Sequence, residues 1–232
     1  MPSVATRLRN RAVTAAFPAL FRVDERRSDL IRLGTPYGGW WVPESLLGPE
    51  SVCYLGGIGT DISFDLAMIE RFGCRVWGID PTPKALDWLA DQTLPEQFSF
   101  LPVGLAGERG ELKFFLPENP EHVSASVKNL QNTGDFFTAP VQTIAQTMEA
   151  LGHDHVDLVK LDIEGAEHET IRRMLADGIH PKVLLVEYDQ PEPVAWPRAT
   201  TRLLRENGYR LVKLEKLNLT FVRHEEPVRH AG

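Results

Sequence analysis

The sequence predicts a doubly wound α/β fold built on a mainly parallel sheet, and three observations predict it. Apolar strand-like runs alternate with helical stretches of about 10 to 15 residues, the pattern of βαβ units with right-handed crossovers. The first of these runs ends in the glycine-rich turn Gly56-Gly57-Ile58-Gly59. The second run ends in an acid, Asp80. At 232 residues the chain is long enough for one such domain with a full core and short for two. The expected organisation is an N-terminal helical extension over 1–45, the α/β domain over 46–225 and a tail over 226–232.

In the extension, Arg7, Arg9 and Arg11 precede an apolar run over 12–21. Pro18 interrupts that run and no small-residue cleavage site follows, so it reads as a helix packed on the domain or on a partner subunit rather than a targeting segment. Tyr37, Trp40 and Trp41 flank the pair Gly38-Gly39, which suggests a shaped turn whose aromatics pack in the core or stack on a sugar or cofactor.

Residues 51–56 (SVCYLG) form the first strand of the domain. Ile62, Leu66, Ile69 and Phe72 recur at helical spacing over 60–72, and Gly73 supplies a stop. A second strand follows over 74–80 (CRVWGID). Thr82 suits an N-cap and Pro83 a first helical position, where no backbone N–H is needed, so a helix is expected to about residue 91. The third strand is 98–105, followed by a turn and extended excursion (GERGELKFF) and a long polar loop over 117–135. A fourth strand over 156–162 (VDLVKLD), a helix over 164–177 and a fifth strand over 182–189 (KVLLVEYD) complete the alternation. A last helix has Pro197 near its start and Gly208 at its end. Segments 209–215 and 218–223 read as a hairpin, which puts an antiparallel strand at or near one edge.

Composition narrows the function classes. Hydrophobic residues at 43% and charged residues at 25% are ordinary for a globular chain, and no apolar run approaches the ~20 residues a spanning helix needs. A net charge of -7 and a pI near 5.5 argue against a nucleic-acid backbone as partner. Cys53 and Cys74, both in apolar stretches, suggest no disulfide framework and a reducing cytoplasm. No integral membrane segment is expected, and a second copy of the chain in a homodimer is an expected partner.

In such a sheet the parallel strands deliver their C-terminal ends to one edge, where ligands bind. A glycine turn before a helix lets a ligand approach the backbone and offers free N–H groups to an anion. Asp80, about 20 residues further on, is placed for the hydroxyls of a ribose. The dinucleotide fingerprint G-x-G-x-x-G is broken, because Ile62 stands where the third glycine would be. Asp61 at the helix start would repel a pyrophosphate and attract an α-ammonium.

The stretch GGIGTDISFDLAMIERFGCRVWGIDPTP, together with VDLVKLDIEGAE, resembles the FkbM family of S-adenosylmethionine-dependent methyltransferases, over about residues 54–223. PVGLAGERGELKFF, HVSASV and APVQTIAQTM agree with it. The resemblance implies a class I methyltransferase fold with a seven-stranded sheet, acting most often on oxygen in sugars or natural products, and hence a small-molecule or glycan acceptor as partner. It also implies that Gly56, Gly57 and Gly59 wrap the cofactor, that Asp80 holds its ribose, that Gly104 or Leu105 lies near the adenine, and that Asp162 faces the sulfonium. Many members have an acid where this chain has Tyr54, so Asp61 is the expected substitute at the amino-acid moiety. A nicotinamide-dependent oxidoreductase and a non-catalytic cofactor-binding protein are the alternatives.

Methyl transfer rests on alignment of nucleophile, methyl carbon and leaving sulfur. A hydroxyl nucleophile also needs a base or a metal ion. Asp162 ends an apolar strand at the expected cleft, and together with Glu187 and Asp189 it offers oxygen ligands suited to Mg²⁺. His122, in the long loop with Ser124, Ser126 and Asn129, and His168, in the helix after Asp162, are the candidate bases. The loop itself is assigned to acceptor binding. Glu164 and Glu167 read as charges favoured in the first turn of a helix.

Overall fold

The computed structural model describes residues 17–116, 134–188 and 194–224. Its centre is a seven-stranded sheet in the order β11-β12-β10-β9-β3-β4-β5, made of Val52–Gly56 (β3), Arg75–Ile79 (β4), Phe98–Leu101 (β5), Leu158–Leu161 (β9), Val183–Glu187 (β10), Tyr209–Glu215 (β11) and Asn218–Arg223 (β12). Strands β3, β4, β5, β9 and β10 pair in parallel. The C-terminal hairpin folds so that β12 lies antiparallel to both β10 and β11. The chain runs outward from β3 to β4 and β5 on one side and from β9 to β10 on the other. The strand order therefore reverses between β3 and β9, and that is where a doubly wound sheet binds its ligand.

Side chains alternate across the sheet with period two, which explains the nearly unbroken apolar strands. Along β3, Val52 and Tyr54 enter one core cluster, whereas Cys53 and Leu55 enter the other. Helices Ser63–Phe72 (α1) and Pro83–Ala90 (α2) cover the Cys53 face through Phe64, Met68, Ala85 and Leu89. The Tyr54 face is covered by Ile144–Leu151 (α3), Glu167–Ala176 (α4) and Ala195–Glu206 (α5), through Ile144, Ile171, Met174 and Leu204. At roughly 1.5–3 kcal/mol for each large apolar side chain removed from water, these two layers supply the main driving force for the fold.

Local chemistry sets the helix ends. Thr82 caps α2 by accepting from the Ala85 N–H, with Pro83 at the first position, as its sequence predicts. Gly73 closes α1 in the left-handed conformation. Helix α3, not assigned from periodicity, is announced by a capping box in which Thr143 and Gln146 each bond the other's backbone N–H.

Three expectations change. The described part of the N-terminal segment is not helical: after a short 3-10 turn at Phe17–Leu20, Leu30–Leu33 (β1) and Trp40–Pro43 (β2) form an antiparallel hairpin. The first half of the run over 12–21 lies outside the described residues, as does the tail over 226–232. The expected third strand splits at Pro102 into β5 and Gly104–Leu105 (β6), and β6 joins Gly110–Phe115 (β7) and Phe136–Gln142 (β8) in a separate three-stranded sheet. The helix after Asp162 begins at Glu167, because Glu164 and Gly165 have positive φ values of 53° and 107° and form a turn instead. Cys53 and Cys74 are buried free thiols with their sulfurs 4.0 Å apart.

Candidate active site

A cleft of about 220 Å³ opens at the C-terminal ends of β3, β4, β9 and β10. Its floor includes Gly57, Ile58 and Gly59; Asp80, Pro81 and Thr82 line one side, with Gly104, Leu105 and Phe114 of the small sheet beside them. Asp162, Ile163, Glu164 and Glu187 line the other side. The β1–β2 hairpin adds buried Trp40 as a wall and Tyr37, 88% exposed, at the mouth.

The glycine turn is fixed by its neighbours. Gly57 has φ +73°, its N–H bonds the Ile79 carbonyl at 2.9 Å, and a Cβ there would lie 1.7 Å from the Asp162 carbonyl oxygen. A side chain is thus excluded by the end of β9 itself. Asp80 accepts from the Gly59 N–H at 2.9 Å through Oδ2, and from Thr82 N–H and Oγ1 at 2.8 and 2.6 Å through Oδ1. Since Oδ2 receives a single donor among the described residues, it keeps acceptor capacity for a ligand hydroxyl.

Lys160 is the residue that reading the sequence missed. It occupies a position in β9 where the alternation calls for a core side chain on the α1 face, and it is only 6% exposed. Its ammonium donates to the carbonyls of Gly56 at 3.1 Å and Gly57 at 2.8 Å, and to Asp162 Oδ2 at 3.0 Å. It also lies 5.7 Å from the centre of the Trp40 ring. Burial alone would push this amine down, but the charges of Asp162, Asp65 and Glu187 more than reverse that and hold it above its ordinary value. A charged residue in the middle of VDLVKLD is the signal that could have found it, since a buried lysine needs partners.

Two acids at the start of α1, Asp61 just before it and Asp65 in its first turn, behave differently. Each oxygen of Asp61 has a donor: Oδ2 accepts from Thr35 Oγ1 at 2.7 Å and Oδ1 from the Ser63 N–H at 2.9 Å, which ties the hairpin to the start of α1. Burial raises its carboxyl, and the hydrogen bonds from Ser63 and Thr35 outweigh burial and lower it. Asp65, one turn on, is 3% exposed, lines the cleft and has an Oδ1 atom with no hydrogen-bond partner among the described residues. Burial pushes it up to about 7 against the opposing charge of Lys160.

The DIEGAE block is a shaped turn rather than a helix start. Glu167 reaches back so that Oε1 accepts from the N–H groups of Ile163 and Gly165, at 3.3 and 2.9 Å. Its own carboxyl is pushed up to about 7 by burial. Tyr54 points away from the cleft, and its hydroxyl meets His153 Nδ1 at 2.6 Å beneath the Trp77 edge. Burial pushes that phenol upward.

Of the residues anticipated from sequence, Gly57, Gly59, Asp61, Asp80, Gly104, Leu105, Asp162 and Glu187 line one cleft. Gly56 does not line it and contributes its carbonyl to Lys160 instead. His168 is not brought to the cleft: its Nδ1 is 2.6 Å from Thr200 Oγ1 and its ring stacks on Trp196, so it serves the α4–α5 contact. His122, with its loop, and Asp189 lie outside the described residues. The expected Mg²⁺ site over Asp162, Glu187 and Asp189 gains no support. Among the described residues no three His, Cys, Asp or Glu side chains are grouped to hold a metal ion. The cation beside Asp162 is the Lys160 ammonium. No described helix is long and apolar enough to cross a membrane.

Comparison with known proteins bears on this architecture. No curated protein matches the chain in sequence. Among solved structures, an rRNA methylase from Streptococcus thermophilus is similar at 12% identity and a TM-score of 0.44, over 78% of this chain and 92% of that one. The METTL16 methyltransferase domain is similar at 11% identity and a TM-score of 0.48, over 97% and 84%. Aeropyrum pernix fibrillarin, in complex with natively bound S-adenosyl-L-methionine, is similar at 10% identity and a TM-score of 0.41, over 76% and 66%. The family described as methyltransferase FkbM domain matches residues 57–211, more than half of the chain and the whole span from the glycine turn into β11. Its match replaces the nicotinamide alternative: this chain belongs to the FkbM methyltransferase family.

Proposed function

We propose that the chain transfers a methyl group from S-adenosylmethionine to a hydroxyl oxygen of a sugar, glycan or natural-product acceptor. Family membership implies the methyl donor, and the chemistry of the cleft fits it. Asp80 offers acceptor capacity for a ribose diol, and Ile58, Ile79, Leu105 and Phe114 give an apolar wall suited to adenine. The orphaned Asp65 oxygen is an acceptor waiting for a donor. When bound, the cofactor supplies an electrophilic methyl carbon on a positively charged sulfur.

The observation that carries the acceptor class is Asp162. It stands at the end of β9, its side chain 26% exposed in the cleft, and Lys160 pins one oxygen at 3.0 Å. An anchored carboxylate can accept the hydrogen bond of an incoming hydroxyl, aim the oxygen lone pair and take the proton as the new C–O bond forms and the methyl–sulfur bond breaks, its electron pair staying on the leaving thioether sulfur. Lys160 preserves that geometry, and Glu164 and the Glu167-capped turn shape the rim beside it.

The test is transfer of labelled methyl from S-adenosylmethionine to a panel of sugars, glycans and hydroxylated natural products, with RNA and protein as comparison acceptors. Label in a methyl ether of a hydroxylated acceptor is expected, and label in RNA or protein instead would overturn the acceptor class. Activity is expected to survive EDTA, because Lys160 already neutralises Asp162. Complete loss with EDTA and recovery with Mg²⁺ would overturn the role given to Lys160.

A further inference from the structure

Asp65 poses a physical problem that the rest of the cleft does not solve. Its carboxyl lines the cleft with Oδ1 unpartnered among the described residues, and an unsatisfied buried acceptor costs about 1–3 kcal/mol, more when charged. The nearest cation cannot relieve it. An ammonium has three donors, and all three of Lys160 are committed, to Gly56, Gly57 and Asp162. Asp65 therefore feels the Lys160 charge without a hydrogen bond from it.

Asp61, the acid anticipated for an amino-acid ligand, is in the opposite condition, since both of its oxygens already serve the hairpin and the helix start. Tyr54, in the middle of β3, faces the other core. We propose that Asp65 binds the α-ammonium of the methionine moiety of S-adenosylmethionine, because Tyr54 faces the other core and Asp61, with a donor already on each oxygen, is the lesser acceptor. This proposal rests on the reading of the cleft as a cofactor site.

The chemistry of the ligand selects the ammonium. A sulfonium carries no N–H or O–H to give an orphaned acceptor, and the ribose hydroxyls face an acid of their own in Asp80, at the end of β4. The ammonium lies at the far end of the ligand, separated from the ribose by the sulfur and the methionine carbons. Asp65 lies on the α1 face of the sheet, as do Lys160, Asp162 and Glu187, whose strands β9 and β10 lie on the other side of β3 from β4 and Asp80. An ammonium there completes a charge arrangement in which two carboxylates, Asp65 and Asp162, flank Lys160 and the incoming cation balances the second of them.

Protonation gives a second readout. The groups that bear on Asp65 are Lys160 of β9 and Asp61 before α1, with Cys53 of β3 behind it and Asp162 and Glu187 along the same face. With its carboxyl pushed up to about 7, Asp65 is largely protonated at pH 6, and a cationic ligand must displace that proton.

The experiment is titration calorimetry with S-adenosylhomocysteine and with 5′-methylthioadenosine, which keeps the nucleoside thioether and lacks the amino-acid end. Asp65→Asn is expected to weaken S-adenosylhomocysteine roughly ten- to a hundredfold, the scale of a lost charge-assisted hydrogen bond, and to leave 5′-methylthioadenosine unchanged. Equal weakening of both ligands, or of neither, would overturn the assignment and leave Asp65 as packing. Should Asp65→Asn fail to fold, the unmodified protein still decides. At pH 6, titrations in buffers of different ionisation enthalpy are expected to show proton release with S-adenosylhomocysteine and none with 5′-methylthioadenosine, and identical proton counts would reject the proposal. Failure of the folded, unmodified protein to bind either ligand would instead reject the cofactor reading itself.

Discussion

Lys160 holds together parts of the cleft that the chain keeps far apart, because the carbonyls of Gly56 and Gly57 are more than 100 positions away and Asp162 is two. Lys160→Met keeps most of the stem and removes the charge. Two turn carbonyls and one carboxylate would lose their donor, so unfolding in urea is expected to show a loss of about 3 kcal/mol or more, at about 1–3 kcal/mol for each buried acceptor left unmade. A loss under about 1 kcal/mol would mean that water substitutes for the ammonium. Asp80→Ala is expected to weaken S-adenosylhomocysteine by about 1.5–3 kcal/mol, measured by calorimetry, because a charged acceptor for the ribose is lost. The same change frees the Gly59 N–H and both Thr82 donors, so a lower melting temperature should accompany it. Unchanged affinity in a folded Asp80→Ala protein would move the ribose elsewhere. Asp80 and Asp162 were legible as cleft residues because they end apolar strands, whose direction sets which edge they reach. Lys160 was not, since its partners are backbone carbonyls that no sequence pattern marks.

At the scale of elements, the glycine turn and the end of β9 form one unit. Gly57→Ala would bring a Cβ within bonding distance of the Asp162 carbonyl, so either the turn or the strand end must move. Loss of S-adenosylhomocysteine binding with a lower melting temperature is expected. Gly110→Ala, at a position where an added Cβ meets nothing within 4 Å, should change neither. Wild-type binding by Gly57→Ala would show that the turn relaxes without reshaping the cleft. The alternation of strands and helices around this unit was readable because buried parallel strands are continuous apolar runs and the helices carry caps and stops, such as Thr82, Pro83 and Gly73. The β1–β2 hairpin was not, because four-residue strands carry too little alternation to stand out, and Trp40 and Trp41 read equally well as core or as a stacking platform. The small sheet escaped for another reason: β6 is two residues long and pairs with Val141 and Gln142 across the long loop. In the DIEGAE block the residue types were noticed and the conformation was not, since Glu164 adopts positive φ and Glu167 bonds backward to the turn.

For the molecule as a whole, the buried acids set how stability responds to pH. Asp65 and Glu167 are pushed from ordinary values of 3.8 and 4.5 up to about 7, chiefly by burial. A group raised on folding binds its proton more tightly in the native state. Its contribution is fully present below the unfolded value and is lost as pH rises through the folded one. The window for these two is therefore about pH 4 to 7. Asp29 acts in the opposite sense: its hydrogen bond from Arg27 holds it well below the usual carboxylate range, so its contribution disappears as pH falls below 3.8. Melting temperature is thus expected to be highest near pH 4–5 and to decline towards pH 8. The net charge of -7 drives the same decline by general repulsion, so the wild-type curve alone does not isolate the two acids. Glu167→Gln isolates one of them, because it keeps an Oε1 acceptor for Ile163 and Gly165 and removes the titration. The Gln variant should match or exceed the wild-type melting temperature at pH 8 and lose that advantage by pH 5, giving a flatter curve between. Parallel curves for the two proteins would show that Glu167 stays ionised in the native state. Its carboxylate would then be solvated from the cleft side, and the turn that presents Asp162 would be an open rim rather than a dry support.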